Sequence, residues 1–265
     1  MDLLTRLLLG LLLSIAIGYA GYRRQALTRS GWLGAVLTGT SIFGFGGLDL
    51  GILLVAFFVS SSLLTRYKDK AKAEVAEMFS KGGARDLGQA LANGGVAAIM
   101  AFLLGLTGQM AFLAAFVGAM AEANADTWAT ELGVLARQKP RLITDGRVVA
   151  PGTSGGLTRL GTLSALSGAA LVGALAAVFR GNWRLLPIAA IAGLVGSLFD
   201  SLLGATVQAI YYSDRRGKET EKSVDRDGTP NRRVRGWAWM NNDAVNLLGT
   251  FAGSLVGLFI GAAIG

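Results

Sequence analysis

The chain has 265 residues, and its 25 Lys/Arg against 17 Asp/Glu give a formal charge of +8 with a pI near 10.1. It is 52% hydrophobic and 16% charged, with a mean hydropathy of +0.50 and neither cysteine nor histidine, whereas soluble domains carry about 25% charged residues. Disulfides, thiolate chemistry, imidazole acid–base catalysis and the usual zinc and haem sites are excluded. What remains is carboxylates, amides, hydroxyls, Lys/Arg and a hard, oxygen-liganded cation such as Mg2+.

Apolar stretches of about 20 residues, the length that crosses a hydrocarbon core, recur along the chain. They are read as spans 3–20, 31–47, 48–64, 89–104, 110–132, 160–179, 187–210 and 241–264. The expected fold is therefore all-α: a single polytopic transmembrane domain over 1–265, with about 8 helices. The second and fourth spans are short and fit a re-entrant or tilted segment. Removing 3–20 as a signal peptide would leave the basic turn 22–30 without an inward-placing span, so it is taken as a span. The loops after spans one, three, five and seven hold 3, 6, 5 and 8 Lys/Arg, against Arg6, Arg180 and Arg184 on the other side. This asymmetry expects cytoplasmic basic loops and both termini outside. Positive cytoplasmic loops also suit anionic lipid headgroups, so the partner is the lipid bilayer, with no nucleic acid.

Between these spans, 67–78 is expected as a short charged helix. The external turns are short, so function is expected on the cytoplasmic face. The last span carries Gly249, Gly253, Gly257, Gly261 and Gly265 at four-residue spacing, which puts them on one stripe. Such a stripe lets helix backbones approach closely. Packing within the monomer is favoured, and a homodimer interface is the alternative.

Two spans carry acid at membrane depth, at a cost of roughly 2.5–3.5 kcal/mol per group. Glu122, Asp126 and Thr130 are spaced by four, on one face, and fit a carboxylate pair holding Mg2+ or a single acid satisfied by a neighbouring Asn or Arg. Glu131 is turned about 140° from Asp126 and joins only if the helix breaks near Gly133. Gly196, Asp200, Gly204 and Gln208 share a second face. Asp126-Thr-Trp-Ala-Thr-Glu-Leu-Gly133 and Asp200-Ser-Leu-Leu-Gly-Ala-Thr206 form a weak repeat that chance equally explains.

Three loop motifs point to phosphate. Lys81-Gly-Gly-Ala-Arg-Asp86, followed by Gln89 and Asn93, puts glycines and cations before a helix start. Gly152-Thr-Ser-Gly-Gly156 has the composition of a phosphate nest or of a flexible turn. Asn241, Asn242, Asp243 and Asn246 cluster at the entry to the last span, where helix capping explains one of them. No Walker A pattern is present. Together these give carboxylates for a metal, loops and cations for phosphates, and an apolar interior for a lipid. Phosphoryl transfer needs mainly positioning and charge neutralisation.

The segments Lys81 to Gly94, Ala125 to Gly133, Lys139-Pro-Arg-Leu-Ile143, Gly152 to Gly156, Asp200 to Thr206 and Asn242 to Asn246 carry a resemblance over nearly the whole chain. It resembles the integral-membrane domain-of-unknown-function family that includes transmembrane protein 19 and plant and cyanobacterial phytyl-phosphate kinases. The resemblance implies a kinase that uses a nucleoside triphosphate, CTP or ATP, to convert an isoprenyl monophosphate to its diphosphate, as in phytol salvage for tocopherol and quinone synthesis. In that reading Asp126 and Asp200 hold Mg2+, with Glu122, Glu131 and Asp243 as further ligands or supports. Lys81, Arg85 and Gly152, Thr153, Ser154, Gly155 and Gly156 hold phosphates, with Asn93, Thr127, Thr130, Asn242 and Asn246 orienting them. A fainter likeness links 126–156 to phytol and dolichol kinases and phosphatidate cytidylyltransferases. The cytidylyltransferase Gly-His-Gly-Gly motif is missing its histidine here, where Thr153-Ser154 precede the Gly pair. The alternatives are a CTP-dependent lipid nucleotidyltransferase and a secondary transporter. One-sided polarity disfavours the transporter.

Overall fold

The computed structural model describes residues 2–76, 78–79, 83–225 and 227–264. Helices α1 (Leu3–Arg23), α2 (Arg29–Ser41), α3 (Leu48–Arg66), α4 (Asp69–Ala76), α5 (Leu87–Thr107), α6 (Met110–Gly133), α7 (Arg159–Arg180), α8 (Leu185–Thr206) and α9 (Asn242–Ile264) account for most of it. A π-helical turn, Ile42–Gly46, continues α2. Local chemistry sets the ends. Asp2, Thr28 and Thr158 cap α1, α2 and α7, and Asp86 with Gln89 forms a capping box on α5. Gly108 and Gly181 take the left-handed conformation that stops α5 and α7.

Among the described residues six helices, α1, α3, α5, α7, α8 and α9, are long and apolar enough to cross a membrane. α6 has 24 residues but carries three acids, and α2 has only 13. The expected fourth span, 89–104, grows to the full 21-residue α5. The expected seventh stops at Thr206 rather than 210. Beyond it, Val207 and Gln208 N–H both bond Leu203 O, and Ala209 N–H is captured by Met240 O.

α6 is the axis of the bundle, buried without interruption from Leu113 to Ala125. Its neighbours reach it through glycines. A Cβ on Gly118 would strike Gly253 O, one on Gly257 would strike Ala114 O, and one on Gly193 would stand 2.9 Å from Ala121 O. Four of the stripe glycines of α9, Gly249, Gly253, Gly257 and Gly261, thus pack inside the chain; Gly265 lies outside the described residues. Small residues supply this close packing, where lipid offers helices little hydrophobic drive to associate.

The loops at the C-terminal ends of α1, α3, α6 and α8 gather at one end of the bundle. The start of α1 and the end of α9 lie at the other. There, Arg6 donates to Phe45 O (2.9 Å), Arg180 to Gly46 O (3.0 Å) and Arg184 to Ile264 O (3.2 Å), and Arg180 also pairs with Asp49. The three arginines of the sparse face therefore satisfy carbonyls at helix C-termini, where positive charge is favoured.

The basic end contains strands as well as turns, an addition to the expected all-α fold. β1 (Arg141–Leu142) pairs antiparallel with β2 (Gly156–Leu157). β3 (Ile210–Ser213) lies between β4 (Lys218–Thr220) and β5 (Arg232–Arg235). In this sheet Asp225 accepts from Ser213 Oγ (2.6 Å) and Arg216 (2.5 Å). These hydrogen bonds, Ser213 foremost, hold its carboxyl below the usual range. A depressed carboxylate stabilises the fold above its unfolded pKa and loses that contribution as pH falls through the native value. Acidification is therefore expected to loosen this sheet before the helices, read as faster amide exchange at Tyr211 to Ser213.

Candidate functional site

The C-terminal halves of α6 and α8, the N-termini of α5, α7 and α9, and the loop 151–158 enclose one cavity of about 360 Å³ at the basic end. Helix geometry explains its acids. Asp126 and Asp200 sit on facing helices and both line it. The Asn246 amide, oriented so that both neighbours are satisfied, donates to Asp200 Oδ2 (3.1 Å) and Asn242 O (3.2 Å). Asp126, Asp200 and Glu221 lie close enough to feel one another's charge. Among the described residues, no Lys or Arg forms an ion pair with Asp126 or Asp200.

Glu122, one turn deeper on α6, is 1% exposed and lies beneath the cavity rather than on its wall. Its Oε1 has no hydrogen-bond partner among the described residues. Glycines make its room: a Cβ on Gly249 would stand 2.5 Å from that oxygen, and one on Gly253 2.8 Å from Glu122 Cβ. Glu131 lines the cavity but is engaged elsewhere. α6 runs unbroken to Gly133, and Glu131 accepts from Lys72 Nζ (2.5 Å) and Thr65 Oγ1 (2.6 Å). Asp243 opens α9 without lining the cavity. The five-carboxylate metal set is therefore not assembled: among the described residues no three acids stand together as a metal cluster. Lys81 lies outside the described residues.

Arg85 is fixed by backbone before α5. Its N–H bonds Ala26 O (3.0 Å) and its O accepts from Thr28 N–H (2.9 Å). Its guanidinium donates to Ser62 Oγ (3.1 Å) and lies 5.9 and 6.0 Å from the Phe57 and Phe58 ring centroids. Burial lowers its affinity for the proton, with Glu131 pulling the other way. Among the described residues no carboxylate forms a salt bridge with it. A desolvated guanidinium with no salt bridge among the described residues, on a cavity wall, is suited to an oxyanion. Asn93, whose amide donates to Gln89 O (2.9 Å), and Thr127, Thr130 and Asn242 also line the cavity.

All five residues of the loop Gly152 to Gly156 line the cavity, but the loop is more tightly built than a flexible turn. Gly152 and Gly155 have φ of +84° and +82°. A Cβ on Gly155 would stand 2.5 Å from Ala205 Cβ and 2.7 Å from Ser201 O. This glycine therefore serves close packing against α8. Thr153 and Gly156 N–H are used in turns to Ala150 O and Thr153 O. Ser154 Oγ donates to Gln208 Oε1 (2.8 Å), and Gln208 Nε2 donates to Glu221 Oε1 (2.9 Å).

Glu221 and Lys72 were not foreseen. Gln208 could be placed on the Asp200 face by spacing, but Glu221 reaches it only through the β3–β4 pairing. Lys72 belongs to a charged helix that looks solvated in sequence. In the structure it is buried and also caps α3 by donating to Leu64 O (2.8 Å) and Thr65 O (2.9 Å). Breaking one half of a buried pair costs about 3–5 kcal/mol. Lys72→Met is therefore expected to lower the melting temperature clearly, and adding Glu131→Gln to recover part of it; simple additivity in a double-mutant cycle would refute the coupling.

No solved structure matches the chain. Protein PGR of Arabidopsis thaliana is 33% identical, over 96% of this chain and 97% of its own length. An uncharacterized membrane protein of Methanocaldococcus jannaschii is 30% identical, over 98% and 96%. The chloroplastic protein VTE6 of Arabidopsis thaliana is 24% identical, over 88% and 65%. The integral membrane protein DUF92 family matches residues 12–254, so this chain belongs to that family.

Proposed function

We propose that the protein is a membrane phosphotransferase that moves the γ-phosphoryl group of CTP or ATP onto an isoprenyl monophosphate, phytyl phosphate being the type, to give the diphosphate. The observation that carries this is one cavity that joins Asp126 and Asp200, which form no ion pair among the described residues, to the buried Arg85, at the polar end of an apolar bundle. The motif resemblance to phytyl-phosphate kinases and the similarity to VTE6 support it.

Two facing carboxylates without an ion-pair partner among the described residues fit Mg2+, which takes one or two carboxylates together with substrate phosphates and water rather than a protein cage. Asp126 and Asp200 would hold it, with Glu122 behind them. When bound, Mg2+ neutralises charge on the phosphate oxygens. Arg85 and the Ser154 side bind and orient phosphate groups. An acceptor phosphate oxygen attacks Pγ, the bond from Pγ to its bridging oxygen breaks, and the nucleoside diphosphate leaves with that oxygen. The acceptor is already a nucleophile, which suits a site lacking histidine.

The span count extends in the same reading to eight. α6 and the continuous run of α2 with its π-helical turn pass between the two ends as the six apolar helices do. Basic loops then face the cytoplasm, the site with them, and both termini lie outside. At the far end Arg6, Arg180 and Arg184 bind helix-end carbonyls, while the polar cavity lies at the basic end, which favours a one-sided enzyme over a transporter. The deciding assay is purified protein with labelled CTP or ATP, Mg2+ and a panel of isoprenyl monophosphates. The expected products are lipid diphosphate and nucleoside diphosphate. Release of pyrophosphate would mean a nucleotidyltransferase, and no reaction with either nucleotide would refute the kinase.

A further inference from the structure

We infer that the small apolar cavity between α1, α2, α3 and α5 takes the phosphate-proximal part of the single hydrocarbon chain of the lipid whose phosphate lies in the polar cavity, an inference that rests on the phosphotransferase reading above. This second cavity measures about 70 Å³ and is walled by Ala35, Gly39, Leu54, Val55, Phe57 and Phe58 among others. Arg85, Gln89 and Asn93 line both cavities, so the two compartments meet along one polar seam.

The seam is amphipathic by construction. Arg85 presents its guanidinium beside two phenylalanine rings that belong to the apolar wall. A phosphate bound there has the polar cavity on one side and the apolar slot on the other. A phosphate ester of a long alcohol satisfies both; free phosphate or a nucleotide leaves the slot empty. Size separates the substrates further. The polar cavity is about 360 Å³, whereas the slot, at about 70 Å³, has room for the first methylenes of one chain and none for a second chain beside it. Gly39 keeps it open: a Cβ there would collide with Ser14. The structure thus favours single-chain prenyl or alkyl phosphates over two-chain phosphatidates.

The absence of native cysteine makes the test direct. Val55→Cys puts a unique thiol in the slot, and Leu63→Cys, at a position 64% exposed on the same helix, is the control. Both are labelled with a membrane-permeant bimane in the full-length protein, with dodecyl phosphate or inorganic phosphate added. Dodecyl phosphate is expected to slow labelling at Val55→Cys at least tenfold, with inorganic phosphate ineffective and Leu63→Cys unchanged. The inference is overturned by no protection, by equal protection from inorganic phosphate, or by equal slowing at the control. If Val55→Cys does not fold, Ala35→Cys on the facing wall is used instead. Turnover of an isoprenyl monophosphate without protection removes the slot and leaves the kinase. Protection without turnover of either nucleotide keeps the slot and removes the kinase.

Discussion

Asp126→Asn and Asp200→Asn, each made singly, are expected to lower phosphoryl transfer by about a hundredfold or more while the protein folds at least as well as before. The first half follows from charge: a carboxylate that neutralises a cation–phosphate centre acts in a low-dielectric site, where loss of one such group typically costs about 10²–10³ in rate. The second half follows from the structure. Asp126, Asp200, Glu122 and Glu221 act on one another as like charges, and neither Asp126 nor Asp200 has an ion pair among the described residues. Asn in a membrane interior also costs less than Asp, and removing one charge relieves repulsion stored for function. The melting temperature should therefore hold or rise as activity falls. Mg2+ should raise the melting temperature of the native protein and not of either variant. Glu131→Gln is the contrasting control. It leaves Lys72 buried without its acid, so stability should fall. Near-native turnover in either Asn variant, or a fall in both activity and stability, would show that these acids hold the fold.

What could be seen in the sequence follows from which constraints are local. A bilayer imposes a length on every span and a cost on every buried acid, so the apolar stretches, and Asp126 and Asp200 within them, stand out in the bare chain. The four-residue spacing of Gly249 to Gly261 announces a close helix contact, and α6 is the helix it meets. Helical rotation turns Glu131 away from Asp126, yet both line the cavity without any break in α6, Glu131 being held by Lys72 and Thr65. Partners that come from distant segments are not legible this way. Glu131 is held by Lys72 from a charged helix 59 positions earlier in the chain. Glu221 reaches the cavity through a three-stranded sheet whose strands are three or four residues long and embedded in basic loops. No periodicity is detectable over such lengths. The π-helical end of α2 is a tertiary effect too: Phe43 fills space left by Gly10 and Gly51 on two other helices.

Gly155→Ala is expected to reduce activity at least about tenfold, or roughly 1.4 kcal/mol, and Gly155→Val to abolish it. Composition alone attributes this glycine's role to close approach of a phosphate. The geometry gives a different cause, because the space beyond its Cα is filled by α8: a Cβ there would stand 2.7 Å from Ala205 N, 2.7 Å from Ser201 O and 2.5 Å from Ala205 Cβ. Backbone of a packed helix cannot yield as a flexible side chain would, so the loop must lift. Lifting it moves Ser154 off Gln208 and loosens the link to Glu221, at the cavity wall that carries Asp200. The residue is also left-handed, at φ +82°, which costs a side chain about 1–2 kcal/mol by itself. Gly146 separates the two effects. It has φ +72° in the same connection, yet a Cβ there meets nothing within 4 Å. Gly146→Ala should therefore pay only the backbone strain, with a small loss of stability and near-native turnover. If Gly146→Ala and Gly155→Ala behaved alike in both melting temperature and kcat/KM, docking of this loop on α8 would have no part in shaping the site.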